Sequence, residues 1–232
     1  MSKKTASNKV NNKINATTKE TDNTKKLFSK NNTYLIFGTG KTGESAVMFC
    51  QRHKLPFYIT GDDEKTLQTS QVNDIAVDEA NKIYDYSEQV LKEKKINYII
   101  LSPSVHTQNS PHKIVEIAKN IGAEIISDVD LFYNYLEIYN LRYKTNKKII
   151  GITGTNGKST TTALVAHILN ENGKLAVACG NIGVNPLSFT EEEVKKYDYF
   201  VVEMSSYNLL SSLTSTSLTF KVFKVSLLSS VI

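Results

Sequence analysis

GITGTNGKST, residues 151–160, is an apolar strand end that runs into a glycine-rich loop and then into a helix. It reads as a Walker A-type phosphate loop from Gly151 through Ser159. Gly154 and Gly157 shape the loop so that the amides of Thr155 and Asn156 turn inward. Lys158 then reaches the β- and γ-phosphates of a bound nucleotide. Ser159, followed by Thr160, offers a hydroxyl to Mg²⁺. Such a loop needs a carboxylate at the end of a neighbouring strand. Glu203, which closes YDYFVVE (197–203), is the candidate, because a buried apolar strand that ends in Glu makes poor sense as packing.

Upstream, TYLIFG (33–38) has the texture of a buried parallel strand, and GTGKTGES (38–45) opens a helix. Gly38, Gly40 and Gly43 are spaced G-x-G-x-x-G, the spacing that brings backbone amides up to a phosphate at a helix N-terminus. Taken alone, this spacing fits a dinucleotide domain, with Asp62 or Asp63 at the end of the next strand to hold a ribose. It also fits plain close packing of helix on strand.

The pattern between these loops predicts α/β architecture. Strands are expected at 56–60, 75–77, 96–101 and 123–127, and helices over 86–94 and 112–120. Asp128 is placed to cap a further helix with Leu131, Phe132, Tyr135 and Leu136 on its apolar stripe. A Rossmann-like domain over 31–139 is followed by a polar linker, 140–147, and then by the first part of a P-loop α/β domain over 148–210. That part supplies three strands, too few for a stable doubly wound sheet with covered edges. Residues 211–232 repeat Leu, Ser, Thr and Lys. FKVFKVSLL (220–228) suits an alternating strand, but the biased composition favours a degenerate end.

Composition narrows the class. A chain with 40 % hydrophobic and 22 % charged residues builds a globular core. The formal charge of +5 is concentrated in residues 1–30, where eight lysines face Glu20 and Asp22. That Lys/Asn/Thr-rich tail is expected to be disordered, and the near-neutral remainder excludes a nucleic-acid binder as the main reading. Cys50 and Cys179 form neither a disulfide framework nor a zinc site, so a reducing cytoplasm is expected. No apolar run reaches the length of a membrane span. His53, His106, His112 and His167 are expected to be surface or packing residues.

GTNGKST, GNIG (180–183) and ExSSY (203–207) together resemble the ATP-dependent Mur ligases of bacterial peptidoglycan synthesis. GTGKTGES, SPS (102–104) before a PxxxxA helix, and SDVDLF (127–132) are similar to the branch that adds D-glutamate to UDP-N-acetylmuramoyl-L-alanine. The resemblance implies ATP-dependent formation of an acyl phosphate, which the amine of D-glutamate attacks. It implies that the first domain binds the UDP-sugar, with Gly38, Thr39, Gly40, Thr42 and Gly43 on the diphosphate and Ser102 and Ser104 in a second anchoring loop. Asn181 would stand near the reacting carboxylate and Glu203 would ligate Mg²⁺. Ser205, Ser206 and Asn208 would line the substrate tunnel. Three positions depart from the family: Ser104 replaces a usual Gly, Asn208 replaces Gln, and Thr60-Gly61 stands where an Asp usually meets uracil. The family's further metal ligands, adenine pocket and D-glutamate domain have no counterpart here. The chain alone is therefore expected not to form the amide bond. It would be a remnant that binds UDP-sugar, or it would need a companion chain to supply the rest.

Overall fold

The computed structural model describes residues 27–62, 67, 71–72, 75–101, 105, 112–205 and 222–225. Within them the chain builds two four-stranded parallel sheets. The first contains β1 (Tyr34–Phe37), β2 (Phe57–Thr60), β5 (Tyr98–Leu101) and β6 (Glu124–Ile126), in the order β2-β1-β5-β6. Its helices are α1 (Lys41–His53), α2 (Glu88–Glu93), α3 (Lys113–Ile121) and α4 (Asp128–Tyr143). The chain leaves β1 for β2 on one side and later returns to β5 on the other. This reversal opens a crevice at the carboxyl end of β1, where the Gly38–Gly43 loop begins.

Two local expectations change. Residues 75–77 do not supply a strand to this sheet. β3 (Gln71–Val72) and β4 (Ile75–Ala76) pair only with each other, antiparallel, and β5 takes the place beside β1. The cap of α4 is Ser127, not Asp128. Ser127 Oγ accepts from the Asp130 amide at 3.1 Å and the Asp130 carboxylate accepts from the Ser127 amide at 2.8 Å. This reciprocal box satisfies two amides at once, which a single Asp128 cap would not.

The second sheet contains β7 (Lys148–Gly154), β8 (Ala176–Gly180), β9 (Tyr199–Glu203) and β10 (Val222–Val225), in the order β10-β7-β9-β8. Helix α5 (Lys158–Glu171) follows β7, and α6 (Glu191–Lys196) precedes β9. The expected three strands are four. β10 comes from the biased FKVFKVSLL stretch and pairs in parallel with β7, from Val222 opposite Gly151 to Val225 opposite Gly154. The pairing satisfies the backbone of a strand that would otherwise be an open edge; the rest of 211–232 lies outside the described residues.

The first half of the expected linker is helix. α4 runs to Tyr143 and ends at Lys144 in the left-handed region (φ 52). Asn140 then clips the remaining turn to the helix. Its Nδ2 donates to the Lys147 carbonyl at 2.9 Å and its Oδ1 accepts from the Lys147 amide at 2.8 Å. Tyr143 continues the helix and has partners there, its ring tilted against Tyr139 and its hydroxyl donating to Glu191.

A continuous core explains why α4 is buried on nearly every side. Tyr135 meets Phe49 of α1 with ring centroids 5.4 Å apart, while Phe132 meets Phe200 of β9 at 5.1 Å. Both sheets therefore contribute to one cluster around this helix. Phe132→Ala is expected to cost about 3–5 kcal/mol. Because Phe132 belongs to both sheets' packing, urea denaturation followed by hydrogen exchange is expected to show β1 and β7 losing protection in one shared transition.

Candidate functional site

The phosphate loop is shorter than the sequence pattern suggests. β7 continues through Gly154, so Gly151 is a buried strand residue opposite Val202 and Val222. Counted back from Lys158, the first glycine of the eight-residue G-x-x-x-x-G-K-[ST] pattern falls on Ile152. The loop proper is Thr155–Gly157. Gly157 sits at φ 74, a left-handed conformation that a side chain would strain, and starts α5 as its N-cap. No side chain caps this helix, so its first-turn amides and the positive end of its dipole are presented to an anion. Lys158 folds back over the loop, with Nζ 3.3 Å from the Thr155 carbonyl. Thr155, Asn156, Ser159 and Thr160 are exposed.

Glu203 lies on the adjacent strand end, opposite Ile152. It is buried, at 6 % exposure, and among the described residues its Oε2 has no hydrogen-bond partner; the hydroxyl of buried Thr153 has none there either. A buried carboxylate oxygen without a donor is costly unless a ligand group or cation completes it. Ser159 and Glu203 together offer hard oxygen donors of the kind that Mg²⁺ takes while keeping waters and phosphate oxygens as its other ligands. The residues present therefore fit the ion.

The turn after β8 is tied to the same edge. The Asn181 amide donates to the Glu203 carbonyl at 3.0 Å, and the Gly180 amide closes the turn onto the Val184 carbonyl at 3.0 Å. Across from this turn stands the N-terminus of α1, with Gly40 as an N-cap that no side chain caps. A cleft of about 400 Å³ separates the two, lined by Lys41, Thr42 and Ser45 on one side and by Asn181, Asn185 and Ser188 on the other.

The glycines of the first loop divide into two kinds. A Cβ at Gly43 would run into the Gly38 carbonyl, whereas a Cβ at Gly40 would meet nothing within 4 Å. Close packing accounts for Gly43; open access accounts for Gly40.

The structure thus brings Thr42 and Asn181 together, and it places Asn181 beside Glu203. Lys158 and Ser159 stand on the neighbouring loop and do not line the cleft. Thr39 bridges Gly38 and Gly40. Ser205 is half-buried, just beyond Met204, whose amide donates to the Ile152 carbonyl. Ser102, Ser104, Ser206, Asn208 and Asp63 lie outside the described residues. Asp62 accepts from the Tyr86 hydroxyl at 2.8 Å and lies 3.0 Å from His112 Nε2. His112 also accepts the Ile114 amide as the cap of α3, so it does more than pack.

Lys41, Ser45, Asn185 and Ser188 were not evident as cleft residues. Asn185-Pro186 carried a turn signal, and Asn185 indeed accepts from the Leu187 amide at 3.0 Å. Arg52 gave no signal. It donates to the carbonyls of Leu187, Ser188 and Phe189, and so clamps α1 to the segment that follows the Asn181 turn.

A parallel sheet whose inner strand feeds a Gly-Lys-Ser loop, with an incompletely bonded carboxylate on the next strand end, defines the P-loop class of phosphate-binding α/β proteins. Residues 152–230 match the Mur ligase middle domain. The UDP-N-acetylmuramoylalanine–D-glutamate ligase of Wolbachia pipientis wMel is 36 % identical over 181 residues, covering 78 % of this chain and 32 % of that protein. The ligase of the same name from Natranaerobius thermophilus is 32 % identical over 184 residues, covering 79 % and 38 %. That from Rickettsia prowazekii is 43 % identical over 114 residues, covering 49 % and 22 %. Among solved structures, a Neisseria UDP-N-acetylmuramate:L-alanyl-γ-D-glutamyl-meso-diaminopimelate ligase is 18 % identical with a TM-score of 0.40, covering 74 % of this chain and 52 % of that one. The Mur ligase match is thus to the middle domain over residues 152–230, and the likeness to the D-glutamate ligases extends over most of the chain. It spans about a third of the length of the curated ligases that it matches over most of its own length.

Gly43→Ala is expected to destabilise the fold by about 1–3 kcal/mol through overpacking. Gly40→Ala, facing open space, is expected to cost less than about 1 kcal/mol, the scale of a changed helix cap. Denaturation curves followed by circular dichroism check the difference.

Proposed function

We propose that this chain forms the UDP-sugar- and ATP-binding part of a ligase that joins D-glutamate to UDP-N-acetylmuramoyl-L-alanine in peptidoglycan synthesis. The observation that carries the proposal is the cleft: the anion-receiving N-terminus of α1 faces the Asn181 turn, which is bonded to Glu203 at the phosphate-loop edge. A long substrate with a diphosphate at one end and a carboxylate at the other would lie along that line.

In this reading the first-turn amides of α1, with Gly40 leaving them uncovered, hold the diphosphate. Asn181 orients the carboxylate at the far end. Lys158 and the loop amides hold the transferring phosphoryl group of ATP and stabilise the charge that develops on it. Ser159 and Glu203 would hold Mg²⁺, which supplies Lewis-acid neutralisation of phosphate charge when bound. The amine of D-glutamate would then displace phosphate from the activated carboxylate. The relatives that carry this name are longer proteins, so the step that presents D-glutamate is assigned to sequence or a companion chain outside these 232 residues.

The test uses calorimetric titration of the whole chain. Saturable binding of UDP-N-acetylmuramoyl-L-alanine is expected, weakened by Gly40→Val and not matched by NAD. Lys158→Ala is expected to lower affinity for Mg²⁺–ATP by about tenfold or more, the scale of a lost charge-assisted contact, while leaving affinity for the UDP-linked ligand within about twofold. Equal affinity for NAD, or equal loss of both ligands in Lys158→Ala, contradicts the assignment.

A further inference from the structure

Asp128 is the second residue of SDVDLF, yet it does not cap α4, because Ser127 and Asp130 do so. Its carboxylate therefore serves elsewhere. It is buried at 6 % exposure, in the first turn of the helix that joins the two sheets. Oδ1 accepts from the Val129 amide at 2.9 Å, and Oδ2 accepts from the side-chain amide of Asn185 at 2.6 Å. Burial pushes this carboxyl above the usual carboxylate range, with the Asn185 and Val129 hydrogen bonds opposing the shift. An ionisable group in so dry a place needs its partners, and Asn185 is the only one of the two that lies far away in sequence.

Asn185 is also a wall of the cleft. It follows the Gly180–Val184 turn directly, and its Oδ1 starts the short helical turn Pro186–Ser188. Two further ties hold the same segment to α1. Arg52 donates to the carbonyls of residues 187–189, and the Ser188 hydroxyl donates to that of Ser45 at 3.0 Å. These two ties grip the segment beyond residue 186. Among the described residues, the side chain that grips it at the junction with the Asn181 turn is Asp128.

We propose that Asp128 is a positioning residue: through Asn185 it fixes the Asn181 turn at the height in the cleft where the carboxylate end of a UDP-linked substrate arrives. The role rests on the substrate proposed above. It gives α4 a second part in the site, since the same helix packs against both sheets and, by this hydrogen bond, adds to the Asn181–Glu203 and Gly180–Val184 bonds that hold the turn. A ligand that ends at the diphosphate does not depend on the tie; a ligand that reaches the turn does.

The test compares two probes on the full chain, UDP and UDP-N-acetylmuramoyl-L-alanine, by calorimetry. In the parent the longer ligand is expected to bind more tightly than UDP. Asp128→Ala is expected to remove about tenfold of that affinity, the scale of a lost hydrogen bond to a charged group, while UDP binding stays within about twofold. Asp128→Asn, which can still accept from Asn185, is expected to restore most of it. Asn185→Ala approaches the same bond from the other side and keeps the test open if Asp128→Ala fails to fold. The double variant is expected to be no weaker than either single one, the mark of a shared interaction. If the variants lose UDP and the longer ligand equally, or lose neither, the positioning role is overturned. If the parent itself does not distinguish the two probes, the substrate proposal fails, and the positioning role with it.

Discussion

The burial of α4 between two sheets is the constraint on which the rest of the structure depends. A surface helix needs one apolar stripe; a helix with a sheet system on each side needs apolar residues nearly all around. α4 meets this demand with Tyr135 toward Phe49 of α1 and Phe132 toward Phe200 and Phe189. Some of its polar groups are satisfied within the helix, as when the Asn134 amide donates to the Asp130 carbonyl at 2.9 Å, while Asp128 takes its distant partner from the segment after the Asn181 turn. Because one helix fills both cores, the carboxyl edges of the two sheets hold fixed places relative to each other. The cleft between α1 and the Asn181 turn follows from that geometry.

Parallel sheets collect their chemistry at one edge. All four strands of each sheet run the same way, so loops that follow them gather where the backbone amides of the next helices point outward. α1 and α5 both begin at glycine with no capping side chain, and each offers a dipole end to an anion. The two helix starts remain separate, since Lys158 and Ser159 do not line the cleft. The link between them is the Asn181 amide on the Glu203 carbonyl. A phosphoryl group held on one side and a carboxylate held on the other would meet at that link.

Much of this was legible in the sequence, because strand-glycine-helix junctions have a local signature. The parallel sheets, both glycine loops and Glu203 came directly from apolar runs ended by Gly or by an unexpected acid. Errors arose where a long-range partner decides the outcome. Whether Val222–Val225 forms a strand depends on the open side of β7, far back in the sequence at Gly151–Gly154, and not on the local composition. The 140–147 stretch looks polar, but Tyr143 has an acceptor in Glu191 and Asn140 clips the turn. Ser127 rather than Asp128 caps α4 because the residue three places on, Asp130, can reciprocate. The Arg52 clamp on three carbonyls could not be read from sequence at all, since carbonyls belong to every residue type.

The most direct test of the account is hydrogen exchange of the whole chain with and without UDP-N-acetylmuramoyl-L-alanine. A single site shared by the two sheets predicts that the ligand slows exchange both in the first turn of α1, residues 41–45, and in residues 180–189. Slowing confined to α1, with the Asn181 turn exchanging as in the free protein, would contradict it.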